Sequence, residues 1–433
     1  MRVLWLCNIM LPAIAEELGL PYSNREGWLT GIYERVCGKE EEGAPELGIC
    51  FPVPEITPLI TQRCHGNPGF RLTSTGIACY AFRENLAAPE RYDGGMEGRF
   101  REILKDFRPD MVHIFGTEFP HALAMVRAFR KPERILVGIQ GLCFACAEAY
   151  MAGLPEYVIR RRTFRDRVKR DDIRQQQEKF RIRGEREKEV LRGCGHITGR
   201  TDFDRLETGK INPRAVYHFM NETMRTPFYE GKWDMGRRRN CGIFLSQGDY
   251  PLKGLHYVLQ ALPEVLREYP QAYVAVAGNS VMEYGTWKDR IKISSYGKYL
   301  LELTDSLGLA GHVRILGKLS AEEMKEAFLQ ASMFVCPSSL ENSPNSMGEA
   351  MLLGVPVAAA RTGGIPSLIE DGREGLLFEP GNCKELAECI KRVWREPEET
   401  ALRAENARKR AWDTHDGNKN YKRLLAVYRE ICQ

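Results

Sequence analysis

Two glutamates stand eight positions apart in the stretch LENSPNSMGEAMLLGVP, residues 340–356, with a polar, proline-bearing segment between them. A carboxylate accepts two hydroxyl hydrogen bonds at once, so Glu341 and Glu349 could each hold a diol. Ser343 reads as an N-cap, Pro344 as the first helical residue and Gly354 as the stop, and the N–H groups of that helix start form an anion site between the acids. At ~1.5 Å rise per residue Glu349 falls about 8 to 9 Å along the helix. An anion flanked by two hydroxyl-binding acids suits a nucleotide sugar, whose diphosphate carries a hydroxyl-bearing ring on either side. The alternative is a solvated Glu349 and a plain loop charge at Glu341, and this stretch alone does not separate the two.

A second polar loop follows the apolar run CGIFL. In SQGDYPLKG, Ser246, Gln247, Gly248 and Lys253 precede a helix that opens after Gly254, and a lysine among backbone donors suits a phosphate. The Walker pattern GxxxxGK[ST] is absent, so an exposed lysine remains the other reading. Gly27 stands before the first long helix, where a bare backbone admits a ligand or simply makes a turn. Cys143 and Cys146 have metal-ligand spacing without a second pair, and no Asp-x-Asp occurs in a donor-binding context, so no metal is expected.

These residues need strands to carry them. RVLWLCNI, ELGICFPV, DMVHIFG, RILVGIQG and GHITGR read as strands, with GWLTGIYERVCG, GRFREILKDF and HALAMVRAFR as helices between them. The rhythm loosens through TPFYEGKWDMGRRRN and restarts with CGIFLSQG, AYVAVAG, HVRILG, MFVCPS and VPVAAAR, separated by three amphipathic runs. Alternating strands and helices of this kind form parallel α/β layers, and ligands bind at the carboxyl ends of their strands. The expected division is an N-terminal Rossmann-like domain over 1–215, a C-terminal one over 216–412 with the linker near 213–240, and a final helix over 413–433.

The 433 residues suffice for two such cores, and 43% hydrophobic with 28% charged residues is a globular balance. A net charge of +4 is too small to argue for nucleic acid. No signal-peptide pattern opens the chain, and no apolar run reaches the length of a membrane helix. The thirteen cysteines are odd in number and often set in apolar runs, which reads as reduced thiols in a cytoplasmic protein.

The paired glutamates after a PSS strand end, followed by GEAMLLGVPVAAARTGGIPSLIEDGREGLLFEPGN and preceded by RILGKLSAEEMKEAFLQASMFVCPS, resemble the retaining glycosyltransferases of family four, among the glycosyl transferases group 1. The resemblance covers nearly the whole chain and is most specific over residues 244–382. It implies the GT-B fold, two Rossmann-like domains with parallel sheets facing across a cleft, and work of the bacterial polysaccharide or glycan type. It further implies that Glu349 holds the donor ribose and Glu341 the transferred sugar. Lys253 and the Ser246–Gly248 loop would neutralise the diphosphate, and Ser343 with the Asn345 and Ser346 amides would add donors at the helix start. Gly317, Lys318 and Leu319 would cradle the base, while Gly363, Gly364 and Ile365 would floor the site. Gly27 matches the glycine loop of the N-terminal domain. The nucleotide sugar is a co-substrate, and neither cofactor nor metal is expected.

Departures sit beside the matches. Gln247 replaces a common arginine, so the diphosphate would lean on Lys253, the helix dipole and Arg200. Gln140 stands where a histidine is usual and cannot act as a base. A front-face retaining transfer tolerates this, because the leaving diphosphate takes the acceptor proton and the protein supplies position and charge. Glu341, Lys253 and Gln140 are therefore the expected catalytic groups. Glu118 and His121 are candidates for acceptor orientation, a structural capping role being the alternative.

From Arg160 to Arg192 the chain carries fourteen basic and seven acidic residues. This is either a solvated helical face or a surface for an anionic acceptor or the inner membrane leaflet. The expected activity is transfer of a hexose-type sugar to a glycan, lipid-linked or small-molecule acceptor, with no nucleic acid partner. The alternatives are a sugar-nucleotide epimerase on the same fold and a non-catalytic binder of membrane or RNA through the basic helix.

Overall fold

Short β-branched and apolar runs, each followed by an amphipathic helix, build two separate sheets. A computed structural model describes residues 1–20, 27–37, 44–282 and 285–433, the side chains of 27, 28, 238–240 and 288 excepted. The chain forms two compact units. The first comprises 1–144, 179–225 and 415–433, and the second 145–178 and 226–414.

In the first unit the strands are β1 (Arg2–Leu6), β2 (Glu46–Val53), β3 (Phe70–Arg71), β4 (Ala78–Arg83), β5 (Met111–Phe115), β6 (Ile135–Gly138), β7 (His196–Gly199) and β8 (Val216–Phe219). Their order is β3-β4-β2-β1-β5-β6-β7-β8, and every pairing is parallel except β3 with β4. The second unit holds β9 (Gly242–Leu245), β10 (Tyr273–Ala277), β11 (Val313–Gly317), β12 (Met333–Cys336), β13 (Val357–Ala360) and β14 (Leu376–Phe378), ordered β11-β10-β9-β12-β13-β14 and all parallel. Strands buried on both faces lose the alternating pattern, and β5, β6, β9, β12 and β13 are accordingly buried throughout.

Each sheet reverses winding direction once, between β1 and β5 in the first unit and between β9 and β12 in the second. Loops leave the strand ends in opposite directions at such a point and open a crevice. All the strands read from sequence are present, and β3, β4, β8 and β14 are additional. The edge strands β3 and β14 are only two and three residues long, too short to show a period.

The division differs from the one read in sequence. Residues 145–178, four helical segments after β6, join the second unit. The passage from first to second unit falls after 225, ten residues beyond the expected 215, because β8 adds an edge strand within the expected linker. Beyond it Trp233 anchors the connection, its indole donating to Ala331 O at 2.7 Å and its backbone N–H to Leu353 O at 2.8 Å. The last helix, Gly417–Cys432, packs in the first unit, where Tyr428 OH accepts from the Trp5 indole at 2.8 Å and meets His113 Nδ1 at 2.7 Å. Burial pushes His113 down to about 3, so it is a neutral core residue. No disulfide joins any of the described cysteines, and no described helix is long and apolar enough to cross a membrane.

Candidate functional site

The crevice of the second unit lies between the loops after β9 and β12. The first of these ends in a 3-10 turn, Pro251–Lys253, followed by Gly254 at φ +69° and the helix Leu255–Leu266. A Cβ on Gly254 would stand 2.1 Å from Pro337 O, so glycine is required both by conformation and by the approach of the second loop. Ser339 N donates to Leu252 O at 2.8 Å and ties the two loops together.

This approach brings Lys253 Nζ to 2.6 Å from Glu341 Oε1, an oxygen that also accepts from Ser338 Oγ at 2.8 Å. Burial opposes the lysine's charge most strongly, but the Glu341 carboxylate, by charge and hydrogen bond, joins Tyr250 and Cys336 in holding the ammonium well above the ordinary lysine range. The pair keeps side-chain exposures of 20% and 13%, enough for a ligand to reach it. Sequence reading placed Lys253 on phosphate and Glu341 on sugar as separate contacts. Here the two face each other directly, because the close approach of the loops at Gly254 and Pro337 brings them together.

Glu341 is fixed from behind. Its carbonyl accepts from Gly364 N at 3.0 Å, and a Cβ on Gly363, at φ +50°, would stand 2.0 Å from the same oxygen. Thr362 Oγ1 donates to Ser339 O at 2.9 Å, and the buried Ile365 begins a short helix. Gly363, Gly364 and Ile365 therefore shape the backbone under Glu341.

The helix that follows spans Asn345–Leu353, with Pro344 at the N-cap position and no side-chain cap. This corrects the expected start by one residue: Ser343 is buried outside the helix, and Pro344, with ψ 117°, is extended. Gly354 ends the helix in the left-handed conformation, as read. Glu349 lies ~6 Å beyond the first helical residue and is buried, so it is not the solvated residue of the bland reading.

Other candidates are spread around this crevice. Ser246 and Gln247 are half-buried, and Gln247 Nε2 donates to Asp249 Oδ1 at 2.8 Å. Asn279 Nδ2 reaches the other oxygen of Asp249 at 2.6 Å. Asp249 and Tyr250 line a cavity of about 440 Å³ with Tyr150, Arg165, Asn279 and Lys292. Gly317, at φ +75°, ends β11, Lys318 is exposed, and the Leu319 side chain lines a groove with Phe244, Tyr273 and Leu316.

In the first unit the candidates form two buried networks. His121 sits on the helix Pro120–Phe129 with Nδ1 2.7 Å from Glu84 Oε2 and Nε2 2.9 Å from Asn8 Oδ1. Glu84 also accepts the His121 backbone N–H at 3.2 Å, so the helix is capped by Glu84, and neither Glu118 nor His121 caps it. Glu118 is half-buried and accepts from Asn8 Nδ2 at 3.3 Å and from Gly141 N at 3.2 Å. The expected acceptor role of His121 meets a correction: the ring is fully buried with both nitrogens engaged.

Gln140 Nε2 donates to Glu222 Oε1 at 2.7 Å, and Arg200 Nη1 lies 2.6 Å from Glu222 Oε2. Burial pushes the Glu222 carboxyl up, although Arg200 and Gln140 favour its charge. Arg200 is buried in this pair, so the expected reach toward a diphosphate is also corrected. Gly27 opens the helix Gly27–Cys37, and the loop before it lies outside the described residues.

Four residues of these networks escaped sequence reading: Asn8, Glu84, Glu187 and Glu222. Asn8 and Glu84 each follow a strand end, which is the signal that would have found them. Glu187 is fully buried, accepts from Thr117 Oγ1 at 2.5 Å and Phe144 N at 3.1 Å, and is pushed up to about 7 by burial. Among the described residues no group of three or more His, Cys, Asp or Glu is placed to hold a metal.

Residues 237–410, within the second unit, match the glycosyl transferases group 1 family. D-inositol 3-phosphate glycosyltransferase of Corynebacterium jeikeium is 30% identical over 141 residues, 32% of each chain. The chain thus spans less than half the length of the first curated relatives that it matches. Sucrose-phosphate synthase from Thermosynechococcus elongatus shares the fold at TM-score 0.69 and 14% identity, over 100% of this chain and 99% of that one. Anabaena HepE, solved with UDP and glucose, does so at TM-score 0.66 and 17% identity, over 99% of this chain and 100% of that one. The protein has the GT-B fold of two Rossmann-like α/β units, and residues 237–410 of the second are similar to the glycosyl transferases group 1 family.

Proposed function

We propose that this protein is a retaining glycosyltransferase that moves a hexose-type sugar from a nucleoside-diphosphate sugar to a glycan, lipid-linked or small-molecule acceptor. The observation that carries the reading is the Lys253–Glu341 pair at the β9/β12 crevice, beside an uncapped helix start and above the Gly363–Gly364 turn. A cation, a carboxylate and backbone donors in one crevice match the three parts of the donor: diphosphate, sugar hydroxyls and leaving oxygen. The named glycosyltransferase relatives and the complexes of Anabaena HepE with UDP-glucose favour the same donor class.

In this reading the diphosphate takes Lys253 from Glu341, and Glu341 turns to the sugar hydroxyls. Glu349 takes the ribose, and the backbone of Gly317, Lys318 and Leu319 the base. The bond from the anomeric carbon to the leaving phosphate oxygen breaks, and the acceptor oxygen bonds to the same face. Its proton passes to the leaving diphosphate, whose developing charge Lys253 and the Asn345 and Ser346 amides stabilise. Gln140, held by Glu222, supplies position and no proton transfer. The donor belongs to the second Rossmann-like domain and the acceptor to the first, and neutralisation needs no divalent ion.

A panel of nucleotide sugars tests this. Nucleotide release that rises with added acceptor, product of unchanged anomeric configuration and activity that persists in a chelator are the expected results. Lys253→Ala should weaken donor binding by about 2 to 4 kcal/mol, and Glu349→Ala should weaken it too. Wild-type donor affinity in both variants would sink the site, and isomerised donor without release would replace transfer by epimerisation.

A further inference from the structure

Two heptapeptides far apart in sequence have the same pattern: Thr163-Phe-Arg-Asp-Arg-Val-Lys169 and Thr286-Trp-Lys-Asp-Arg-Ile-Lys292. Both fold as one short helix, Phe164–Lys169 and Trp287–Lys292, and both begin with the same capping box, Thr163 with Asp166 and Thr286 with Asp289. Both belong to the second unit, where the two helices lie against each other. Asp166 fixes the pairing, because its Oδ2 accepts from Ser295 N at 3.0 Å, just beyond the second helix.

Each helix turns an aromatic and a β-branched residue outward at i and i+4. Phe164 is 66% exposed, Val168 67%, Trp287 68% and Ile291 40%. Around them Arg167, Lys169, Arg170, Arg290 and Lys292 are exposed, while the one acid on each helix is held in its capping box. The basic run 160–192 read in sequence is much less free than its composition implies: Arg161, Arg162, Arg165 and Arg174 face Glu302, Asp172, Asp171 and Glu156.

We propose that this twin-helix face docks on a bilayer surface rich in anionic headgroups, with Phe164, Val168, Trp287 and Ile291 entering the interface and the five cations resting on the phosphates. Aromatic and branched residues beside lysine and arginine are the chemistry of interfacial binding, and the basic sign of the exposed charges named on the two helices selects anionic lipid over a neutral surface. The inference does not depend on the glycosyltransferase reading, since Phe164, Val168, Trp287, Ile291, Lys169 and Arg170 are none of them among the candidate donor-site residues.

Flotation of the intact protein with phosphatidylcholine vesicles, with and without phosphatidylglycerol, tests it. Association is expected only with the anionic vesicles and should fall with added salt. Phe164→Ser with Trp287→Ser should abolish it, and Lys169→Gln with Arg170→Gln should lower partitioning on the order of tenfold, at about one tenfold step or less per charge. Both double variants should keep wild-type thermal stability, which separates lost docking from lost folding. No flotation with anionic vesicles, equal flotation with neutral ones, or full flotation of the serine variant overturns the proposal. So does self-association of the wild-type chain that the serine variant abolishes, which would make a second copy the occupant.

Discussion

The two units reverse their sheets in the same way, yet the crevices at those reversals differ in chemistry. Between β9 and β12 the loops pair a cation with a carboxylate, Lys253 with Glu341, part-exposed and backed by Gly254, Gly363 and Gly364. Between β1 and β5 the corresponding loops carry Asn8 and Glu118, and Asn8 joins His121 and Glu84 in a chain of buried hydrogen bonds. The first arrangement is a pair that a charged ligand can divide between its own parts. The second is closed on itself, and it stabilises the helix Pro120–Phe129 whatever is bound. The same topology thus builds a part-exposed charge pair in one unit and a closed network of buried hydrogen bonds in the other.

The contrast can be broken most strongly at Gly254. Gly254→Ala combines a left-handed backbone with a Cβ 2.1 Å from Pro337 O, so it should destabilise by about 3 kcal/mol or more and remove nucleotide binding. Chemical denaturation and calorimetric titration with UDP check both, and a stable variant with intact binding would remove the argument for loop approach. At the other crevice, Glu84→Ala strands buried His121 and should destabilise by roughly 2 to 3 kcal/mol while nucleotide affinity stays at the wild-type value. A large affinity loss there would mean that the closed network also serves the donor.

Glu187 sharpens the comparison through pH. Its carboxyl is raised from 4.5 to about 7, so the folded state keeps a proton that the unfolded chain releases. The stability tied to that proton is complete below about 4.5 and is lost as pH rises through about 7. Relative to Glu187→Gln, the wild type should therefore lose on the order of 2 kcal/mol between about pH 5 and about pH 8, measured by denaturation at both ends. A parallel pH course for the two proteins would show that burial does not perturb this group. The smallest effect is expected at Gln247→Arg, which places a cation in the phosphate loop but beside Asp249. Nucleotide affinity should rise by about threefold or less, as a half-satisfied surface charge adds well under 1 kcal/mol.

Much of this was readable in the chain. The strands RVLWLCNI, DMVHIFG, CGIFLSQG and MFVCPS are long apolar runs, and they proved to be β1, β5, β9 and β12, the four that make the crevices. Lys253, Glu341, Gly363 and Gly364 were marked by motif, and the structure gathers them. The helix start after Pro344 moved by one residue because two cap geometries fit the same Ser-Pro-Asn. His121 and Arg200 were marked as site residues and lie buried in pairs with Glu84 and Glu222. A single polar residue has no period, so nothing in its local sequence says whether its side chain meets solvent or another polar group.

The sequence by itself determined the layers, since the period of apolar residues dictates strand or helix and the alternation dictates parallel pairing. It also determined the helix stop at Gly354 and the twin capping boxes, which depend on contacts three residues apart. Only the tertiary structure decided that Lys253 meets Glu341 across 88 positions, that Glu84 caps a helix 37 positions away, and that the helices of Phe164 and Trp287 lie against each other. Local rules act within a turn of helix or a strand pair. Charge pairing and surface patches depend on which loops the winding of the sheet brings together, and that is settled only when the whole layer closes.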